Sequence, residues 1–157
     1  MQLTQFSDYA LRTLIYLGVR GDSLATIEEI AAAYGISESH LTKVVHKLGK
    51  LGILATVRGR GGGMRLGRLP TEINIGETVR LMEGNLNLVE CFDAEHNSCP
   101  IAPVCGLTGV LDEALRAFMS VLDRYTLADM IRNKSDISGL LALPGEAAAA
   151  RRSGAGR

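Results

Sequence analysis

Near the start of the chain Phe6, Tyr9, Ala10, Thr13, Leu14 and Leu17 recur at i, i+3, i+4, i+7, i+8 and i+11, and Leu11 and Ile15 widen the same stripe. That period places one apolar flank on a helix. A second, short helix is predicted over TIEEIAAAYG, where Thr26 stands at the N-cap, Glu29 completes a reciprocal capping box and Gly35 supplies the stop. Ser37 opens a third, SESHLTKVVHKLGKLG. Its Leu41, Val44, Val45, Leu48 and Leu51 share one face, while Ser39, Thr42, Lys43, His46 and Lys50 project from the opposite one. Only Gly35, Ile36 and a capping residue separate the second and third helices, which is the tight connection of a helix-turn-helix.

Beyond Gly52 the period changes. ILATVR and MRL are short β-prone runs joined by Gly59, Arg60, Gly61, Gly62 and Gly63, and they read as a hairpin whose tip needs positive φ. GRGGGM lacks the Lys-Ser/Thr of a P-loop and does not make G-x-G-x-x-G, so a turn explains these glycines better than a phosphate cradle. INIGETVRLMEG fits another helix, closed by Gly84. Further on, Leu107, Leu111, Ala114, Leu115, Phe118, Leu122 and Tyr125 recur at helical spacing and predict a long helix over 107–132. An apolar stripe at the end of so small a fold has to be covered, and a twin from a second subunit is the expected cover. From about Asn133 the composition turns to Gly and Ala, so 133–157 is expected to be a flexible tail. The predicted fold class is mainly α: a winged helix-turn-helix over 1–84 with a small hairpin wing, a cysteine loop over 85–106, and a long C-terminal dimerisation helix.

Composition adds little until it is divided. A hydrophobic content of 46% and a charged content of 22% are those of an ordinary globular chain. No apolar run approaches the roughly 20 residues of a membrane span, so no membrane partner is expected. MQLTQFSDYALRTLIYL carries no basic leader or small-residue cleavage site, and a cytoplasmic location is expected. The net charge is zero, yet the first 70 residues carry nine Lys and Arg against five Asp and Glu, and the remainder eight against twelve. From Glu38 to Pro70 seven basic residues face one acidic residue, a local surface for a polyanion.

Helix pair, basic face and glycine-tipped hairpin follow one another as in a DNA reader. Candidate contacts on the third helix are Ser37, Ser39, His40, Thr42, Lys43, His46, Lys47 and Lys50, facing a major groove; on the hairpin they are Arg58, Arg60, Gly61, Gly62 and Arg65, reaching the neighbouring minor groove. If about six cations meet phosphates, affinity should fall steeply with salt, by a logarithmic slope of roughly 0.9 per contact.

All three cysteines lie in CFDAEHNSCPIAPVC, at the spacing C-x7-C-x5-C, in a segment that Pro100 and Pro103 keep from being helical. An odd count in a reducing compartment argues against disulfides, and clustering in one broken loop argues against scattered core thiols. Metal coordination remains. Spacing alone leaves zinc, with His96 as a possible fourth ligand, level with an iron-sulfur cluster. No substrate-binding fingerprint and no nucleophile–base pairing is present, so the chain is not expected to be an enzyme.

MQLTQFSDYALRTLIYL, VRGRGGGMRLG, the cysteine loop and LDRYTLADM together resemble the NsrR-type nitric-oxide-sensing repressors, in the bacterial superfamily that also contains the cluster-status regulator IscR. The similarity spans roughly residues 1–132. It implies a homodimeric repressor of a near-palindromic operator on double-stranded DNA, with an iron-sulfur cluster, 4Fe-4S or 2Fe-2S, held by Cys91, Cys99 and Cys105. Where IscR-type proteins place a histidine ligand, three residues after the last cysteine, this chain has Thr108. The resemblance implies that Asp8 of the partner subunit takes that place, and that nitric oxide lifts repression. An IscR-like cluster-status regulator and a zinc-stabilised DNA-binding module are the alternatives.

Overall fold

The computed structural model describes residues 2–143. The chain forms α1 (Gln5–Arg20), α2 (Ile27–Tyr34), α3 (Glu38–Lys50), an antiparallel pair β1 (Leu54–Val57) and β2 (Gly63–Leu66), then α4 (Ile75–Glu83), α5 (Gly106–Leu122), α6 (Leu127–Met130) and α7 (Lys134–Leu140). This is the expected mainly helical, winged helix-turn-helix class.

Helix α1 organises the rest. Thr4 caps it, accepting from the Ser7 N–H at 3.3 Å, and the Thr4 N–H donates to Glu83 Oε1 at 2.8 Å, which ties the start of α1 to the end of α4. Because α3, α4, β2, α6 and α7 all pack on α1, it is covered on more than one flank. Ala10, Thr13, Leu14 and Leu17 are buried as the stripe predicts, but so are Ser7 and Tyr16 outside it, and Phe6, Tyr9 and Ile15 are only partly covered. Thr13 is accommodated by donating its hydroxyl to the Tyr9 carbonyl at 2.7 Å, a local solution to burying a polar group.

The capping box of α2 is formed in both directions: the Glu29 N–H donates to Thr26 Oγ1 at 3.2 Å and the Thr26 N–H to Glu29 Oε2 at 2.7 Å. Gly35, at φ 64° and ψ 38°, turns the chain in the left-handed region and leads into α3. On α3 Leu41, Val44 and Leu48 are fully buried, each contributing about 1.5–3 kcal/mol of burial, so the opposite, polar face is fixed outward. The wing pairs Leu54 with Leu66, Ala55 with Arg65, Thr56 with Met64 and Val57 with Gly63. Ala25 adds one rung, exchanging both backbone hydrogen bonds with Met64 at 2.9 and 2.7 Å, which anchors the hairpin to the loop before α2.

Two expectations about the C-terminal part are corrected. The helix predicted over 107–132 ends at Leu122, and Tyr125 lies in the turn after it. The reason is tertiary: Asn74 Nδ2 donates to the Asp123 carbonyl at 2.7 Å, the Ile75 N–H to Tyr125 O at 3.0 Å and the Leu127 N–H to Ile73 O at 2.8 Å, so the start of α4 clasps the turn. Arg80 reinforces the clasp with two hydrogen bonds to the Asp123 carboxylate, at 2.6 and 2.7 Å. The flexible tail expected over 133–157 is not found over 133–143: Lys134–Leu140 is helical and Leu143 is buried with Leu127 and Ile131 in the core around α1. The expectation for 144–157 lies outside the described residues.

Candidate nucleic-acid interface and cysteine site

Burying the apolar side of α3 leaves Ser37, Ser39, His40, Thr42, Lys43, His46 and Lys50 exposed along one face, and Arg58, Arg60, Gly61 and Arg65 are exposed on the wing. Among the described residues no carboxylate pairs with Lys43, Lys50, Arg58, Arg60 or Arg65, so their charge is available to an anion. Several neighbours are partly committed within the chain. Lys47 is half-buried, its amine 5.5 Å from the centre of the Phe6 ring. The Ser37 and Ser39 hydroxyls pair at 2.8 Å, and Thr42 donates to the Glu38 carbonyl at 2.8 Å. Gly62 is half-buried too: its N–H donates to Gly59 O at 2.9 Å, and a Cβ there would run into the Val57 carbonyl, so its role in the wing is steric. Gly59 and Gly61, at φ 102° and 76°, carry the positive φ the turn requires. Arg68, counted in the basic run, donates to the Leu51 carbonyl at 2.7 Å and joins wing to α3.

One link between α1 and the exposed face was not visible in the sequence. The Tyr9 ring stacks on His40 with centroids 6.3 Å apart, next in sequence to Asp8. Asp8 itself is half-buried and pairs with Arg12 one turn on, at 2.8 Å. Helical i, i+4 spacing of opposite charges was the available signal.

The second site lies between α4 and α5. From Glu83 to Phe118 no residue is buried, and the loop is held by short-range hydrogen bonds: the Ser98 N–H donates to Glu90 Oε1 at 2.5 Å, the Glu95 N–H to Asp93 Oδ1 at 3.1 Å and the Cys99 N–H to Asn97 Oδ1 at 3.0 Å. Two single turns of 3-10 helix, Glu90–Phe92 and Ala102–Val104, fold the loop back so that Cys91, Cys99 and Cys105 line one hollow of about 280 Å³. Its other walls include Val89, Ile101, Leu107 and Leu111, with the Thr108 hydroxyl 3.3 Å from Cys91 Sγ. All three thiols are free and half-exposed.

Cys105 stands at the N-cap of α5. Its side chain makes no full cap hydrogen bond, but the N–H of Thr108, then that of Leu107, and the Thr108 hydroxyl lie close enough to hold the thiol below its ordinary pKa, which favours the thiolate a metal requires. Among the described residues no three His, Cys, Asp or Glu side chains close around a single-ion centre. The donors are instead spread around the hollow, and three free thiols in an apolar setting fit an iron-sulfur unit by donor chemistry. His96, offered by the sequence as a fourth zinc ligand, does not line the hollow; it is exposed and lies 3.0 Å from Asp93. On α5, Leu107, which lines the hollow, and Val110 are 60% and 62% exposed, an uncovered apolar flank. No described helix is long and apolar enough to cross a membrane.

Comparison with known proteins accords with this arrangement. A family model described as Rrf2, an iron-dependent transcriptional regulator, matches residues 3–133. The HTH-type transcriptional regulator NsrR of Bacillus subtilis (strain 168) is 56% identical over 142 residues, covering 90% of this chain and 97% of the relative. The regulator of the same name from Geobacillus kaustophilus (strain HTA426) is 53% identical over 142 residues, covering 90% and 97%. Among solved structures, T. potens IscR is similar with a TM-score of 0.68 and 26% identity, covering 85% of this chain and 88% of that one. The oxidised form of Staphylococcus aureus CymR gives 0.67 and 25%, covering 84% and 97%. These relatives are regulators rather than enzymes, and the chain belongs to the Rrf2 family of winged-helix, DNA-binding transcriptional regulators.

Proposed function

We propose that the chain is a homodimeric repressor that responds to nitric oxide through an iron-sulfur cluster held by Cys91, Cys99 and Cys105, with Asp8 of the partner subunit as fourth donor. The observation that carries the reading is the convergence of the three thiols on one apolar hollow at the head of α5. Relatives named NsrR at 51–56% identity favour this branch over an IscR-like one, and Thr108 in place of a histidine points the same way. A hollow of about 280 Å³ with spread donors supports a cluster over a single zinc ion, whose ligands sit roughly 2.3 Å from the metal.

When bound by Cys91, Cys99, Cys105 and Asp8 of the partner subunit, the cluster would supply iron able to take a diatomic ligand. The chain's own residues do the rest. Cys105 offers a ready thiolate. α5 presents Leu107 and Val110 to a twin helix, which sets the separation of two recognition helices reading half-sites about 34 Å apart. Asp8, on α1, is one residue from the Tyr9 ring that stacks on His40, so a displacement of α1 is felt on the DNA-facing side of α3. Ser37, Ser39, His40, Thr42, Lys43, His46, Lys47 and Lys50, with Arg58, Arg60, Gly61, Gly62 and Arg65, form the proposed DNA contact.

The test is an operator-binding titration with protein purified without oxygen. Binding should be tight before and lost after stoichiometric nitric oxide; unchanged affinity would remove nitric oxide from the account. Dependence on cluster occupancy alone would select an IscR-like regulator.

A further inference from the structure

Thr108 enters the sequence only as the residue that fails to be a histidine ligand, and the structure gives it a position of its own. Its Oγ1 lies 3.3 Å from Cys91 Sγ, across 17 residues of chain, and it stands in the first turn of α5, three residues after Cys105 at the N-cap. Other threonines on described helices spend their hydroxyls on the backbone carbonyl four residues earlier: Thr13 on Tyr9, Thr42 on Glu38 and Thr78 on Asn74, at 2.7, 2.8 and 2.7 Å. At Thr108 the corresponding residue is Val104, in the preceding 3-10 turn, and the hydroxyl is turned toward sulfur instead. It lines the cysteine hollow with apolar neighbours Leu107 and Leu111.

We propose that Thr108 is a positioning residue of the cysteine site, its hydroxyl donating a hydrogen bond to Cys91 Sγ. The inference rests on the cluster reading above and extends it. That hydrogen bond ties Cys91 to the head of α5, where Cys105 stands at the N-cap. Hydrogen bonds to ligating sulfur lower the cost of added negative charge and so raise the cluster's reduction potential, and outer-shell partners of this kind commonly govern metal retention. Thr108 therefore sets how readily the site is reduced and how long it keeps its iron, without itself being a ligand.

The test compares Thr108→Val, which keeps the shape and removes the donor, with Thr108→Ser, which keeps the donor. Full-length protein purified without oxygen is assayed for iron, for inorganic sulfide, for midpoint potential by dye-coupled titration, and for iron release to a chelator. Thr108→Val should hold the same cluster at a more negative potential and release iron about 10-fold faster. Thr108→Ser should stay near the parent. A full cluster with unchanged potential and release rate in Thr108→Val would overturn the proposal, as would equal loss of cluster from both variants. Loss from Thr108→Val alone, with helical circular dichroism intact, would support it. Parent protein without iron and sulfide would overturn the cluster reading itself, and with it this inference, before any variant is made.

Discussion

The helix-turn-helix and the cysteine loop are stabilised in opposite ways. Between Ala10 and Ile53 the chain places fully buried side chains on every helix, caps α2 reciprocally and fastens the wing to Ala25. From Glu83 to Phe118 no residue is fully buried, and the loop between α4 and α5 is held largely by local hydrogen bonds. A segment without a core of its own has low local stability and is ordered by what it binds. The DNA-reading half is thus rigid by packing, whereas the cysteine loop is left to be ordered by what it binds, which in the proposed reading is a cluster and a second subunit. Their charges differ in the same sense: residues 85–105 carry Glu90, Asp93 and Glu95 and no Lys or Arg, while α3 and the wing are basic.

The contrast is broken most severely at the cysteines. Cys99→Ala should abolish iron binding and visible absorbance while leaving the thermal unfolding of the helix-turn-helix nearly unchanged; a large loss of helical signal would show that the two halves are not separately supported. The converse substitution, Leu48→Ala on α3, removes a fully buried side chain and should cost about 2–5 kcal/mol in chemical denaturation, with the cysteine content still reactive to thiol reagents.

Smaller effects sharpen the comparison. Arg58→Ala or Arg60→Ala should weaken operator binding and lower the salt slope by roughly 0.9 for each lost phosphate contact, with no change in colour. Asp8→Ala disrupts a half-exposed pair with Arg12 and should change stability by about 1 kcal/mol or less, yet shorten the lifetime of the bound cluster; an unaltered lifetime would move the fourth donor elsewhere. Least of all, Arg80 holds the Asp123 carboxyl below its ordinary value of 3.8. A carboxylate whose folded pKa is depressed stabilises above its unfolded pKa, and that contribution is lost as pH falls through the lower, folded value. Acid unfolding of Asp123→Asn should therefore be less steep below about pH 4 than that of the parent.

What was legible in the sequence follows the same division. Cap, stop and 3.6-residue period define α2 and α3, because Thr26, Glu29, Gly35 and the Leu41–Leu48 stripe act within a few residues of one another. The burial of Ser7 and Tyr16 was not legible, since it depends on elements distant in sequence closing on α1, among them α2, whose Tyr34 ring lies 6.4 Å from that of Tyr16. Nor was the end of α5 at Leu122, set by Asn74 and Ile75 from a distant helix. Gly- and Ala-rich composition concealed α7, although Thr126 and Asp129, a capping pair three residues apart, signalled that ordered helix continues past the turn. At the candidate site the cysteine cluster was plain from its spacing, whereas the direction of the Thr108 hydroxyl and the Tyr9–His40 stack depend on three-dimensional closure.

The claim on which the account turns is that the coreless loop is organised by a cofactor its three thiols hold. Iron and acid-labile sulfide counted per chain on protein purified without oxygen test it most directly. The account predicts both, in near-equal amounts and absent from Cys99→Ala; parent protein carrying zinc, or neither element, would contradict it.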